Sequence, residues 1–288
     1  MPAFNEASHI ERNLRETVDT LTALGCDFEV IVVDDGSGDE TWRAAGDSLA
    51  DHYSNVRLLR YDRNEGKGNA VMRGTAVANG DYIVFLDADM DLHPAQLPAF
   101  FDIMIAENAD IVIGSKLHPQ SHVNYPLSRR VVTMGYYAVV RLLFGLPLRD
   151  TQTGLKLFKA GVLRRVFPKV LVKRFAADIE VLVVAHALGY KICEAPVTLR
   201  FQRRFGRIKL HDVKDILQDT LAIFYRLNIL HYYNAITEEW PAPKQEIKMM
   251  TGAKQLVAPT AVELLAAEAS LLPARVTQPA GVPSNLQA

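Results

Sequence analysis

Cysteine is scarce in this sequence, with only Cys26 and Cys193 among 288 residues. The pair has no metal-like spacing, which argues against a disulfide framework or a thiolate metal site and points to a reducing compartment. Long apolar runs are missing as well. The longest candidate, Val131 to Leu148, is interrupted by Arg141, so none reaches the roughly 18–20 residues of a membrane span. No secretory leader is visible, and the chain is expected to lie against a membrane at most. Internal repeats are absent too. Net charge is almost nil at −1, but that total conceals a segregation. Between Ile111 and Asp215 stand 19 Lys/Arg against 6 Asp/Glu, leaving 13 against 27 in the remainder. An acidic part beside a cationic part suits a partner made of phosphates or an anionic surface, and nucleic acid would satisfy the same asymmetry.

What is present is ample apolar material, 49% of residues, enough to bury the core of one large domain. Strand-like runs fall at Phe28–Val33, Val56–Leu59, Tyr82–Leu86 and Asp110–Gly114. Helical patterns fill the gaps at about Glu6–Leu24, Asp39–His52, Lys67–Ala78 and Pro94–Glu107. Ser8 and Glu11 have capping-box spacing, and Pro94 suits a first helical position. This alternation predicts an α/β fold with a doubly wound, mostly parallel sheet. A long apolar helix is expected from Ser128 to about Phe144, then an αβ unit over Ala177–Leu199 and a helix at about Asp212–Leu227. After Trp240 the composition turns rich in Pro, Ala, Gln and Thr. The reading is therefore a domain over 1–232 and a flexible tail over 233–288, with one weak helix near Ala261–Leu272.

The run Tyr82-Ile83-Val84-Phe85-Leu86 ends in Asp87, Asp89 and Asp91. An extended backbone would point all three carboxylates one way, and a bound divalent cation would compensate their desolvation. A polar turn entering the next helix is the plainer reading. Ligands of such sheets bind at the carboxyl ends of strands, which is where these acids lie. Asp35, just past another strand end, is placed to accept hydrogen bonds from a ligand, or to stabilise a turn. Gly66-Lys67-Gly68 lets backbone approach a ligand but lacks the spacing of a Walker A loop, and it reads equally as a helix-entry turn.

Six short motifs then occur in a telling order: Pro2-Ala3-Phe4-Asn5-Glu6, Val33-Asp34-Asp35-Gly36-Ser37, Asn64-Glu65-Gly66-Lys67-Gly68-Asn69-Ala70, Asp87-Ala88-Asp89, Gly114-Ser115-Lys116, and Asp150-Thr151-Gln152-Thr153-Gly154. Together they closely resemble the family 2 glycosyltransferases of GT-A fold, in the branch that makes polyprenyl-phosphate sugars such as dolichyl-phosphate glucose and mannose. The resemblance covers about Pro2 to Asn228. One departure stands out. The family has a buried first strand before its Pro-x-x-Asn-Glu motif, whereas here Met1 sits where that strand should end. The first strand is therefore expected to be missing, with translation starting upstream, because its absence would expose the neighbouring strand edges.

The resemblance implies that Pro2, Ala3, Glu6, Asp35, Lys67, Asp87 and Lys116 bind the sugar-nucleotide donor. It implies Mg²⁺ or Mn²⁺ at Asp87, Asp89 and Asp91, with Asp89 central to the diphosphate; Asp91 stands where relatives often have Gln. Arg129 and Arg130, and a second basic cluster with Arg203, Arg207 and Lys209, would hold phosphates of donor and lipid. Solvated surface is the ordinary reading of such clusters. Val131–Phe144, within an interfacial helix of about 128–145, would lie in the membrane interface with Tyr136 and Tyr137 at headgroup level, or else be a buried core helix. Asp150, Asp178 and Glu180 are expected to face the cleft, with Asp178 orienting rather than acting as a base, since a phosphate acceptor is already anionic.

These features imply a metal-dependent, inverting hexosyltransferase at the cytoplasmic face of a membrane, taking a UDP- or GDP-hexose and a polyprenyl phosphate. Arg149 to Phe158 resembles the glucose-type synthases slightly more than the mannose-type. A family 2 transferase acting on a soluble or polysaccharide hydroxyl is the other enzyme reading. A silent sugar-nucleotide-binding module or an RNA-binding protein is a further class. The lack of aromatics interleaved in a basic groove speaks against nucleic acid.

Overall fold

The computed structural model describes residues 1–49, 53–123, 127–174, 176–199, 210–234, 248–251 and 254–257. In chain order the elements are β1 (Pro2–Ala3), α1 (Ile10–Ala23), β2 (Val30–Asp34), α2 (Thr41–Leu49), β3 (Val56–Arg60), α3 (Lys67–Ala76) and β4 (Tyr82–Leu86). There follow α4 (Leu97–Ala106), β5 (Ile111–Ser115), α5 (Leu127–Phe144), β6 (Leu155–Lys159), α6 (Ala160–Val166) and α7 (Ala177–Ala187). The last are β7 (Ile192–Pro196), α8 (Leu210–Asn228), β8 (Lys248–Thr251) and β9 (Lys254–Val257).

The described strands form two hydrogen-bonded groups, ordered β1-β2-β3-β8-β9 and β4-β6-β5-β7. Strands β1, β2 and β3 run parallel, as do β5 and β7. Strand β6 inserts antiparallel between β4 and β5. Alternation along the strands divides the core. Ile111, Ile113, Phe85 and Phe158 face α5, α6 and α7, while Val112, Leu86, Leu155 and Leu157 face α4. Each fully buried side chain of this size contributes about 1.5–3 kcal/mol, which fixes the register: a slip of one residue would exchange the two faces. Helix α7 is apolar almost all round and accordingly buried.

Within the Pro-x-x-Asn-Glu motif itself, Pro2 and Ala3 form a two-residue strand that pairs with Val33 and Asp34, and the Met1 carbonyl accepts from the Val33 N–H at 2.9 Å. Three expectations need correction. Helix α1 begins after His9 with no side-chain cap, so Ser8 and Glu11 form no capping box. Residues 248–251 and 254–257, read from sequence as tail, are strands, with β8 antiparallel to β3. Tyr233, just beyond the expected domain boundary, is 1% exposed and belongs to the body. The weak helix expected near Ala261–Leu272 lies outside the described residues.

Candidate active site

The carboxyl ends of β1, β2 and β4 open into one cleft of about 960 Å³. The acid at the end of β2 builds one wall. Asp35 accepts the Glu65 and Gly66 N–H groups at 2.8 and 2.9 Å, tying the loop before α3 to the sheet. Burial pushes its carboxyl up to about 6, against the pull of those two N–H groups. Gly66 has φ +102°, and a Cβ there would stand 2.5 Å from the Lys173 carbonyl. Only glycine fits so close a crossing of two backbone segments.

The end of β4 differs from the sequence reading. Residues after Leu86 do not stay extended. Asp87 opens a turn in which the Met90 N–H reaches the Asp87 carbonyl at 3.2 Å and Met90 has φ +58°. The Asp91 N–H donates to Asp89 Oδ1 at 3.2 Å. Asn13 and Thr17 of α1 hold this turn from behind, through the Ala88 carbonyl and the Met90 sulfur. The three acids thus lie around a turn rather than in one row. Among the described residues no three His, Cys, Asp or Glu gather closely enough to enclose a metal ion.

Asp87 is instead held by a protein cation. Lys67 Nζ stands 2.8 Å from Asp87 and 3.4 Å from Asp178 at the start of α7. Lys156, 1% exposed on β6, reaches the other Asp178 oxygen at 2.8 Å. Burial draws the Lys67 ammonium down, but Asp178 and Asp87 outweigh it and hold the group above the ordinary lysine value. Burial opposes ionisation of Asp178, while Lys156 and Lys67 together bring it below the usual carboxylate range. Gly154 packs against Asp87 so tightly that a Cβ would lie 2.2 Å from Asp87 Oδ2. On the far wall Asp150 accepts the Lys116 N–H at 3.1 Å and has the Lys116 ammonium at 3.5 Å.

Pro2, Ala3, Glu6, Asp35, Lys67, Asp87, Asp89, Asp91, Lys116 and Asp178 all line this cleft. Asp150 lines it too, but Glu180 does not: it is fully buried against Tyr233 and Arg226. Two positions along a helix turn a side chain through more than half a circle, so Asp178 and Glu180 cannot share a face. Arg129 and Arg130 lie in the first turn of α5, described as backbone only. Arg203, Arg207 and Lys209 lie outside the described residues. Arg149 and Arg174 line the cleft without having been singled out from the sequence, and nothing in their spacing marks them. Lys156 did leave a signal, a lone cation in the apolar strand Leu155–Phe158.

The profile of glycosyl transferase family 2 matches residues 1–167. The chain belongs to this family. It is 34% identical over 219 residues to glycosyltransferase AglD of Haloferax volcanii, covering 75% of this chain and 34% of that protein. It is 32% identical over 209 residues to a dolichyl-phosphate beta-glucosyltransferase of Dictyostelium discoideum, covering 68% and 64%. The chain thus spans about a third of the first relative and just under two thirds of the second. The fold matches Mycobacterium tuberculosis glucosyl-3-phosphoglycerate synthase, solved with Mn²⁺, UDP-glucose and phosphoglyceric acid. That match has a TM-score of 0.58 at 21% identity and covers 82% of this chain and 79% of that one. The α/β, GT-A-like architecture expected from the motifs is therefore the observed one.

Proposed function

We propose that this family 2 member transfers a hexose, glucose foremost, from a UDP-sugar to a polyprenyl phosphate. The observation that carries the reading is the meeting of Asp35, Asp87, Asp89 and Lys67 in one cleft. Dolichyl-phosphate glucosyltransferases among the relatives support the sugar and the lipid, and UDP-glucose in the structural neighbour supports the nucleotide. Asp35, with Pro2, Ala3 and Glu6 opposite, would receive the nucleoside.

The donor set fits Mg²⁺ or Mn²⁺: hard carboxylate oxygens of Asp89, Asp87 and Asp91 at a strand end, too few to enclose an ion without substrate. Such ions take one or two protein carboxylates and complete their shell with phosphates and water. When bound, the ion would supply charge neutralisation of the leaving diphosphate. Lys67 and Lys116 would add positive charge on either side. The acceptor phosphate oxygen attacks the anomeric carbon, the bond to the diphosphate breaks, and the configuration inverts. Asp178 is not a base in this scheme, because two ammonium groups already hold its oxygens.

The acceptor would arrive along α5 and α8. Thr133, Tyr136, Tyr137, Ile216 and Leu217 extend the cleft between these helices. Met134 and Leu142 on α5, and Leu217, Leu221 and Tyr225 on α8, expose apolar surface outward. Among the described residues no helix is long and apolar enough to cross a membrane. Peripheral attachment to a cytoplasmic membrane face is the accompanying proposal.

The test is a matrix of UDP- and GDP-sugars against polyprenyl phosphates and soluble hydroxyl acceptors, scored for product with and without EDTA. Lipid-linked glucose that requires metal and disappears in Asp89→Ala is expected. Product on a soluble acceptor alone would move the chain to the other family 2 reading, and full activity in EDTA would remove the metal.

A further inference from the structure

Four charged side chains run in sequence through the cleft floor: Asp87, Lys67, Asp178 and Lys156, separated by 2.8, 3.4 and 2.8 Å. The last is unlike the others. Lys156 is 1% exposed, flanked in the strand by buried Leu155, Leu157 and Phe158. Desolvating an ammonium costs several kcal/mol, and an apolar residue of similar volume would fill the same space at no such cost. Packing alone therefore gives no reason for a lysine here.

Its contacts give one. Lys156 Nζ takes Asp178 Oδ1, leaving Oδ2 to Lys67. It also donates to the Thr153 carbonyl at 2.5 Å, beside Gly154, which packs on Asp87. Without Lys156, both Asp178 oxygens would be free to claim Lys67 and draw it from Asp87. The three remaining groups would also be net negative where the four together are neutral, repelling an entering anion.

We infer that Lys156 is a positioning residue: it divides the Asp178 carboxylate so that the Lys67 ammonium stands between Asp178 and Asp87, available to a diphosphate entering the cleft. Burial holds the Lys156 ammonium below its ordinary value, and the Asp178 carboxylate opposes that shift. The inference rests on the donor reading above only for the identity of the anion.

The test has two arms on the full chain. One follows the Lys67 ammonium by ¹⁵N NMR without ligand, assigned by its loss in Lys67→Arg. The other measures UDP binding with Mg²⁺ by calorimetry. Lys156→Met should shift or broaden the Lys67 signal and weaken UDP roughly tenfold, the scale of one charge-assisted contact. Lys156→Arg should recover most of the affinity. Should Lys156→Met fail to fold, combining it with Asp178→Asn removes the freed carboxylate as well, and this pair should fold and bind UDP close to wild type, because nothing then draws Lys67 from Asp87. An unmoved Lys67 signal, or UDP binding still roughly tenfold weaker than wild type in the paired variant, would overturn the inference. If UDP fails to bind the wild type, the donor reading falls, and the ligand-free Lys67 signal alone decides.

Discussion

At the scale of single residues, two close approaches control the site. Gly154 leaves no room for a methyl group beside Asp87. Gly154→Ala must therefore push the Asp87 carboxylate away from Lys67. Because misplacement of about 1 Å costs on the order of a hundredfold in rate, kcat should fall by about that much while the melting temperature changes little. An unchanged kcat would mean that Asp87 has no positional role. Asp35 offers a pH test. Its folded carboxyl titrates near 6 instead of the usual 3.8, owing to burial. Protonation therefore favours the fold: this contribution is complete below pH 3.8 and is lost as pH rises to about 6. In thermal unfolding Asp35→Asn, which cannot ionise, should lack the fall in stability that wild type shows over that interval. Parallel curves for the two proteins would refute the assignment.

At the scale of elements, Glu180 fastens α7 to its surroundings. Its carboxylate accepts the Leu171 and Val172 N–H groups at 2.9 and 2.6 Å and the Tyr233 hydroxyl at 2.5 Å, with Arg226 at 3.0 Å. The segment leading into α7, the helix itself, α8 and the turn after α8 thus meet at one fully buried acid. Removing one partner of a buried pair leaves the other charge uncompensated, at about 3–5 kcal/mol. Glu180→Ala should lose stability on that scale in urea unfolding. A loss below about 1 kcal/mol, the level of an exposed pair, would contradict it.

At the scale of the whole molecule, charge and exposed apolar surface bear on attachment. The cationic stretch from Ile111 to Asp215 includes α5 and the start of α8. Binding to vesicles containing anionic lipid should weaken as salt rises from about 0.01 to 0.5 M, because the Debye length shrinks from about 30 Å to under 10 Å. Leu142→Glu, at a position 85% exposed, should weaken it further without changing UDP affinity. Salt-independent binding would point to apolar contact alone, and no vesicle binding at all would sink the attachment.

Local pattern determined a great deal here. The apolar runs of β2, β3, β4 and β5 and the helices between them follow from periodicity, because each buries faces that its own spacing defines. The acids at strand ends were legible for the same reason, since parallel sheets gather ligand sites at their carboxyl edge. Long-range packing decided the rest. Asn13 and Thr17 reach across the fold to the Ala88 carbonyl and the Met90 sulfur and bend Asp87, Asp89 and Asp91 around a turn, which no local signal encodes. Glu180 reads like Asp178 in sequence, yet its helix turns it into the core. Lys156 looks like one polar residue in a strand until α3 and α7 bring Lys67 and Asp178 beside it. Sequence spacing specifies which residue types occur near a strand end; which charges share a partner depends on elements far apart in the chain, and only their packing brings those together.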